Sequence, residues 1–107
     1  MKVVTVIVTY GTKEHLSECL ASLEESSLTG IDNEVIVIDN TKENRGFTGG
    51  YNLGVKQALG QGADAVLLLN DDTKVHPRAI QELVSTLRSN SVGVAVPKIY
   101  FYPGFEF

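Results

Sequence analysis

Strand-sized runs of apolar residues alternate with amphipathic stretches along most of the chain. Four runs are nearly continuous in valine, isoleucine, leucine and alanine, at residues 3–8, 35–38, 65–69 and 92–96. Continuous apolar runs of this length are typical of strands that are covered on both faces, as in a parallel sheet. The pattern therefore predicts four strands, most or all of them parallel.

The stretches between these runs predict three helices. Apolar residues recur at helical spacing over residues 16–23, where Thr12 is a candidate N-cap, and over residues 80–87, where Pro77 suits the first turn. The middle helix has an apolar stripe within residues 53–59, but the glycines at its beginning weaken it.

The order of these elements predicts the fold class. Strand and helix alternate three times before a last strand, which implies right-handed crossovers and an α/β domain. We expect a three-layer, Rossmann-like domain with a mostly parallel sheet of about four strands, flanked by helices, in the order second–first–third–fourth. The 107 residues leave room for a single domain.

The net charge and the cysteine content indicate which partners and which cellular compartment to expect. A net charge of −4 argues against a nucleic-acid partner, because phosphate backbones call for clustered lysine and arginine. The single cysteine, Cys19, fits the reducing cytoplasm, which is the localisation that we expect. The chain begins without a signal-peptide pattern, and its apolar runs are too short for a transmembrane segment.

Polar residues follow the first three strands, at the edge where open α/β sheets bind their ligands. Aspartate and asparagine after a strand are also common turn formers, so each position alone has an ordinary structural interpretation. Two adjacent carboxylates repel each other unless a cation or donors compensate, which modestly favours a site for Mg²⁺ or Mn²⁺. The residues at the three strand ends are Thr9 and Tyr10, then Asp39 and Asn40, then Asn70, Asp71 and Asp72.

A glycine-rich segment, NRGFTGGYNLG at residues 44–54, opens the middle helix. Exposed amides at a helix N-terminus attract phosphate, but the segment matches neither of the common glycine-rich phosphate motifs. The alternative interpretation is tight packing of the helix on the sheet, and the sequence does not decide between the two. Arg45 has the reach to contact a phosphate, although surface arginines are usually solvated.

Taken together, five segments resemble the N-terminal half of inverting family 2 glycosyltransferases of the GT-A fold, especially the rhamnosyltransferase-like members. The segments are VVTVIVTYG, EVIVIDN, ENRGFTGGYNLG, AVLLLNDDT and VGVAVPKIY, and together they cover nearly the whole chain. The resemblance implies a domain that binds a nucleoside diphosphate sugar, such as a UDP- or dTDP-sugar, with Mg²⁺ or Mn²⁺.

The resemblance also implies a role for each matched residue. Thr9 and Tyr10 would line the pocket for the base and ribose, and Asp39 would accept a hydrogen bond from the base. The positions that match the family's N-x-G-F and N-x-G pattern near the pocket floor are Asn44, Gly46 and Asn52.

The triplet Asn70-Asp71-Asp72 corresponds to the family's DxD motif. Asn70 takes the first position and Asp71 the variable middle one. Asp72 would then be the carboxylate that binds the cation on the diphosphate.

Two departures from the family pattern bear on function. The stretch between Asn40 and Asn44 is very short, where family members usually place a helix and another strand, so the second strand should be a sheet edge. The sequence also stops soon after VGVAVPKIY, whereas the acceptor site and catalytic carboxylate come later in the family. We therefore assign no catalytic residue and expect residues 1–107 to form a truncated or minimal domain, incomplete as an enzyme by itself.

A second hypothesis is a non-catalytic module that contacts protein. The unprotected edge of the second strand invites β-pairing with a partner chain or with a second copy in a homodimer. The tail at residues 99–107, IYFYPGFEF, holds most of the aromatic residues of the chain and would pack against such a partner.

Overall fold

Strands and helices alternate along the chain as the apolar pattern predicts. The computed structural model describes residues 1–11, 13–89 and 91–100. The elements are β1 (Lys2–Thr9), α1 (Lys13–Glu24), β2 (Asp32–Asp39), α2 (Gly46–Gly60), β3 (Ala65–Asn70) and α3 (Ala79–Ser89). Within these ranges no helix has the length and apolar character needed to cross a membrane.

The three strands form a parallel sheet with β1 in the middle, in the order β2-β1-β3. The register places Thr9 of β1 beside Asp39 of β2, and Val8 beside Asn70 of β3. The predicted order of the first three strands is therefore confirmed, and β2 is an edge strand of the described sheet. Because the strands are parallel, their carboxyl ends lie at one edge of the sheet.

Helices cover both faces of the sheet, which confirms the three-layer α/β architecture. Alternate residues of β1 point to opposite faces, so this buried strand contributes to two apolar clusters. On one face Val3 and Ile7 pack with residues of α1 and α3. On the other face α2 covers the side chains of Val4, Val6 and Val8.

The predicted fourth strand at residues 92–96 is wrong for this structure. Residues 91–100 form no strand, and Val94 and Val96 are 81% and 75% exposed. Gly93 weakens a strand because it has no side chain to pack, and Pro97 has no N–H to donate to a ladder. The described sheet therefore has three strands.

Glycines allow α2 to lie close against β1. A Cβ at Gly54 would overlap the side chain of Val6, and a Cβ at Gly50 would lie 3.0 Å from the methyl groups of Val8. The helix is continuous from Gly46, so its glycines do not prevent it from forming. At Gly50 and Gly54 the structure supports tight helix–sheet packing.

Two of the predictions fall on residues outside the described ranges. Thr12, the candidate N-cap of α1, is one of them, and the aromatic tail from residue 101 onward is the other. The described part of the tail, Ile99 and Tyr100, is exposed. Pro77 lies two residues before the start of α3, where the Arg78 amide donates to Nδ1 of His76 at 3.1 Å.

Candidate functional site

The residues after the three strands meet at one edge of the sheet, here called the carboxyl edge. The start of α2 lies at the same edge, because the buried Asn40 side chain donates from Nδ2 to the Gly46 carbonyl at 3.1 Å. The structure thus brings together three strand ends and one helix N-terminus. The predicted site residues on these segments are Thr9, Tyr10, Asp39, Asn44, Gly46, Asn70, Asp71 and Asp72.

The three residues of the Asn70-Asp71-Asp72 turn have different surroundings. The Thr73 amide donates to the Asn70 carbonyl at 3.2 Å, which closes the turn. Asp71 accepts a hydrogen bond from the Thr9 hydroxyl, at 2.9 Å from Oδ2. Asp72 is exposed, and its carboxylate has no hydrogen-bond or ion-pair partner in the described part of the chain. Asp71 is therefore held by the protein, whereas the carboxylate of Asp72 is open to a ligand.

The donor set at this turn suits a cation that arrives with a ligand. Among the described residues, no three His, Cys, Asp or Glu side chains are placed to hold a metal ion together. Mg²⁺ is often bound through only one or two carboxylates, with water and substrate phosphates completing its shell. The open carboxylate of Asp72 fits that arrangement. It does not fit a cation that the protein binds tightly without a diphosphate.

The carboxylate of Asp39, at the end of β2, accepts two hydrogen bonds from its neighbour Thr41. Its Oδ1 accepts a hydrogen bond from the Thr41 hydroxyl at 2.6 Å and another from the Thr41 amide at 2.8 Å. The hydroxyl bond and then the amide bond hold the pKa of Asp39 below its ordinary value. The residue is exposed, so its carboxylate is both charged and accessible at the carboxyl edge.

Asn40 and Arg45 organise the loop between β2 and α2. Asn40 is only 2% exposed, and its backbone amide donates to the Thr9 carbonyl at 2.9 Å. Its Oδ1 accepts from Nη1 of Arg45 at 3.2 Å, while Nη2 of Arg45 pairs with the Glu43 carboxylate at 3.0 Å. The guanidinium of Arg45 is therefore bonded to the loop itself.

Asn44 and Gly46 form a local turn at the start of α2. The Gly46 amide donates to Oδ1 of Asn44 at 2.8 Å, so this amide is already used within the chain. Gly46 has a φ of +72°, a conformation that favours glycine. The N-terminus of α2 has no side-chain cap, so the next amides of the helix remain available to a ligand.

Tyr51 is a site residue that the sequence analysis missed. It is 6% exposed, and its hydroxyl donates to the Leu69 carbonyl at 2.7 Å and lies 3.3 Å from Oδ1 of Asn70. Its ring packs on that of Phe47, with centroids 4.7 Å apart. Burial raises the pKa of Tyr51, and the charge of Asp71 adds to this effect. The only sequence signal was an aromatic residue inside the glycine-rich segment.

Cys19 lies beneath the Asn70-Asp71-Asp72 turn. Its side chain is buried in the cluster formed with α1 and α3, and its Sγ is 3.7 Å from the Asn70 carbonyl. Burial, and then the charges of Asp71 and Asp72, raise the pKa of the thiol to about 11. This thiol is accordingly a protonated core group at neutral pH, as its place on the apolar stripe of α1 indicates.

The carboxyl edge is open rather than enclosed. Tyr10 is 49% exposed, as expected for a residue that does not lie in a closed pocket. A shallow depression at the start of α3 is lined by His76, Arg78, Ala79 and Glu82. None of the predicted site residues lines that depression, so the site rests on the geometry of the strand ends and not on a cavity.

Comparison with known proteins finds similarity to glycosyltransferases. A hexosyltransferase of low-salt glycan biosynthesis from Haloferax volcanii, Agl10, is 25% identical over an alignment of 114 positions, gaps included, which covers 88% of this chain. The alignment covers 35% of that relative, so the chain spans about a third of the length of the curated protein it matches. The model of glycosyl transferase family 2 matches residues 40–107, more than half of the chain. The chain belongs to glycosyl transferase family 2.

Proposed function

We propose that this domain binds the nucleoside diphosphate part of a sugar-nucleotide donor at its carboxyl edge, together with Mg²⁺ or Mn²⁺. Thr9, Tyr10 and Asp39 would contact the nucleoside. Asp72 would bind the cation. Family membership supports a role in glycosyl transfer, and the rest of this assignment is our proposal.

The observation that most strongly supports this proposal is that Asp71 and Asp72 are adjacent acids with different surroundings. Asp71 is bonded to Thr9, while Asp72 is exposed and has no hydrogen-bond or ion-pair partner among the described residues. A purely structural turn would not need an unpaired carboxylate next to another acid, because the two charges repel each other. A cation held by Asp72 would offset that repulsion. When bound, it would act as a Lewis acid that stabilises the leaving diphosphate.

We further propose that this chain supplies donor binding and not the catalytic base. No residue of the chain is assigned to deprotonate an acceptor hydroxyl, a step for which a positioned base is needed. In this proposal residues other than those assigned to donor binding here supply the acceptor site and its base. A transfer assay of the chain alone, with a sugar nucleotide that it binds, should give hydrolysis and transfer rates no higher than those without protein.

The first test is calorimetric titration of the chain with uridine diphosphate and thymidine diphosphate, with and without Mn²⁺. We expect binding that requires the metal and that is at least about tenfold weaker in Asp72→Ala, since about 1.4 kcal/mol corresponds to a factor of ten. The matched control is Asp32→Ala, because Asp32 is an exposed aspartate at the opposite end of β2.

Two results would contradict the proposal. One is the absence of heat with either nucleotide from a chain whose circular dichroism spectrum is that of a folded α/β protein. The other is binding that Asp72→Ala and Asp32→Ala affect equally, because the carboxyl edge would then have no special part in it.

A second candidate function is a protein contact along the outer edge of β2. Val35 and Val37 are both 39% exposed on this edge strand, and the outer side of β2 has no strand partner in the described sheet. Unpaired strand edges readily add a further strand. Light scattering over a range of chain concentrations tests this function, because association through the edge would raise the mean mass with concentration.

A further inference from the structure

Tyr51 connects α2 to the turn that follows β3. The residue lies in the second turn of α2, and its hydroxyl reaches the backbone of β3 at the Leu69 carbonyl, 2.7 Å away. The same hydroxyl lies 3.3 Å from Oδ1 of Asn70. Since Tyr51 is buried and packed on Phe47, its hydroxyl has little freedom to move away from these two acceptors.

In the structure the side-chain oxygen of Asn70 faces the Tyr51 hydroxyl. A tyrosine hydroxyl has one proton to donate, and here that proton is shared unequally between the Leu69 carbonyl and Oδ1 of Asn70. With Oδ1 turned toward Tyr51, Nδ2 is on the other branch of the planar amide and points away from it. Asn70 is exposed, and its Nδ2 has no hydrogen-bond partner in the part of the chain that the structure describes.

We propose that Tyr51 is a positioning residue that holds the Asn70 amide so that its N–H groups donate to an acceptor oxygen of the bound nucleoside diphosphate. The inference rests on the proposed function, because it needs that ligand at the carboxyl edge. A donor at position 70 has a clear use, because the next two residues are acids that repel an anionic ligand. A carboxylate in its place could accept a hydrogen bond but not donate one.

A double-mutant cycle separates positioning from general structural support. The variants are Tyr51→Phe, Asn70→Ala and the combination, and calorimetry with uridine diphosphate and Mn²⁺ gives the affinity of each. We expect Tyr51→Phe to weaken binding about fivefold to tenfold, as for the loss of one oriented hydrogen bond. In the Asn70→Ala background the same change should weaken binding less than about twofold, because the group that Tyr51 orients is gone.

Thr5→Val is the matched control for the loss of a buried hydroxyl. Thr5 donates to Oδ1 of Asn33 at 3.1 Å on the opposite face of the sheet from α2, three residues or more from the strand ends. We expect this control to lower the thermal unfolding temperature without changing the affinity. An equal loss of affinity for Tyr51→Phe in both backgrounds would overturn the inference, because Tyr51 would then act independently of Asn70.

Asn70→Asp tests the donor directly and does not depend on the stability of Tyr51→Phe. The carboxylate still accepts from Tyr51 but has nothing to donate, so affinity should fall at least as far as in Asn70→Ala. Affinity equal to that of the unsubstituted chain would overturn the inference. The same cycle with inorganic pyrophosphate and with uridine identifies the acceptor oxygen as phosphate or ribose, and coupling in either arm supports the inference.

The two levels of the proposal fail in different ways. If the unsubstituted chain binds the nucleotide but the cycle gives no coupling with any of the three ligands, only the role of Tyr51 is overturned. If the unsubstituted chain binds none of the three ligands, the proposed function is overturned and the role of Tyr51 falls with it.

Discussion

Side chains in the loop after β2 bond mostly to their own near neighbours. Asp39 bonds to Thr41 two residues later, and Asn44 bonds to Gly46 in the same way. Such short-range bonds are the usual reason for finding Asp and Asn after a strand. Here they also lower the pKa of Asp39, and the Thr41 hydroxyl is the main cause.

Replacing Thr41 with valine should raise the pKa of Asp39 toward its ordinary value. Valine keeps the methyl group of threonine and leaves the backbone amide bond to Asp39, but it removes the hydroxyl 2.6 Å from Oδ1. Carboxyl carbon chemical shifts, followed by NMR as a function of pH, report this pKa directly. Thr48→Val, on the exposed surface of α2, is the control and should leave the pKa of Asp39 unchanged.

The sign of the associated pH dependence follows from the direction of the shift. Because the pKa of Asp39 is lower in the folded chain than in the unfolded one, its contribution to stability is present above the unfolded pKa. It is lost as the pH falls through the folded pKa. Thr41→Val should therefore make the stability less dependent on pH on the acid side, and an unchanged titration of Asp39 would contradict the assigned role of the hydroxyl.

The sequence identified the candidate residues better than it identified their contacts. Thr9, Asp39 and Asp72 could be chosen because each follows an apolar run, and the ends of parallel strands meet at one edge. The bond between Thr9 and Asp71 joins residues 62 positions apart, so it depends on a strand register that composition does not reveal. Tyr51 was missed for the same reason, because its partners lie on another element.

At the scale of elements, the packing of α2 on β1 depends on two glycines one turn apart. Val8 lies under Gly50 and Val6 under Gly54, and the absent Cβ atoms let the helix approach the strand closely. Since α2 also carries Tyr51 and begins at the carboxyl edge, this packing sets the position of the candidate site relative to the sheet.

Gly54→Ala should strongly destabilise the chain. The new Cβ would overlap Val6 on the central strand, so either the helix or the strand must move. Overpacking of this kind typically costs about 1–3 kcal/mol, and we expect the upper end of that range because Val6 is fully buried. Urea unfolding, with the midpoint and slope compared with those of the unsubstituted chain, measures the loss.

Gly60→Ala is the matched control in the same helix. Nothing lies within 4 Å of a Cβ at Gly60, so its free energy of unfolding should stay unchanged or rise by about 0.5 kcal/mol. Val6→Ala, added to Gly54→Ala, should recover part of the loss by making room for the new methyl group. Equal effects of the two glycine substitutions would mean that α2 does not pack on β1 as described.

Local sequence was sufficient to predict most of the strands and helices, but not all of them. Three strands and three helices were predicted because their apolar patterns match the faces that they bury. The fourth strand was wrong, since an apolar run such as residues 92–96 indicates what could be buried and not whether a neighbouring strand will pair with it. The sequence analysis underestimated the stability of the first turns of α2. It counted the low helix propensity of glycine but not the close packing on β1 that glycine allows and that offsets this cost.

At the scale of the whole molecule, the described sheet has two open edges of different character. The outer strand β2 carries Asp32, Glu34 and Asp39, whereas β3 is uncharged over Ala65–Asn70 and exposes 54% of Leu68. Charged side chains on an edge strand discourage pairing with other chains. An antiparallel pair of two β2 strands would bring the acids of both copies, Asp32, Glu34 and Asp39, close to one another, which is unfavourable.

Self-association through β2 should therefore be weak at low ionic strength and should strengthen as salt screens the opposed carboxylates. Val37→Lys, at a half-exposed position of β2, should weaken that association about tenfold or more, because it places a charge against the pairing strand. Leu68→Lys, on the other edge strand, is the control. Sedimentation equilibrium at low and at high salt gives the association constants.

Comparing Val37→Lys with Leu68→Lys shows which edge strand forms the contact. If only Val37→Lys weakens self-association, the contact lies along β2. If only Leu68→Lys weakens it, the contact lies along the uncharged strand β3 instead. If association increases with salt but neither lysine affects it, the contact lies on another surface and the edge hypothesis fails. If the chain stays monomeric under all conditions while binding a nucleotide through Asp72, the acids on β2 are sufficient to keep its edge unpaired, and donor binding remains as the function of the domain.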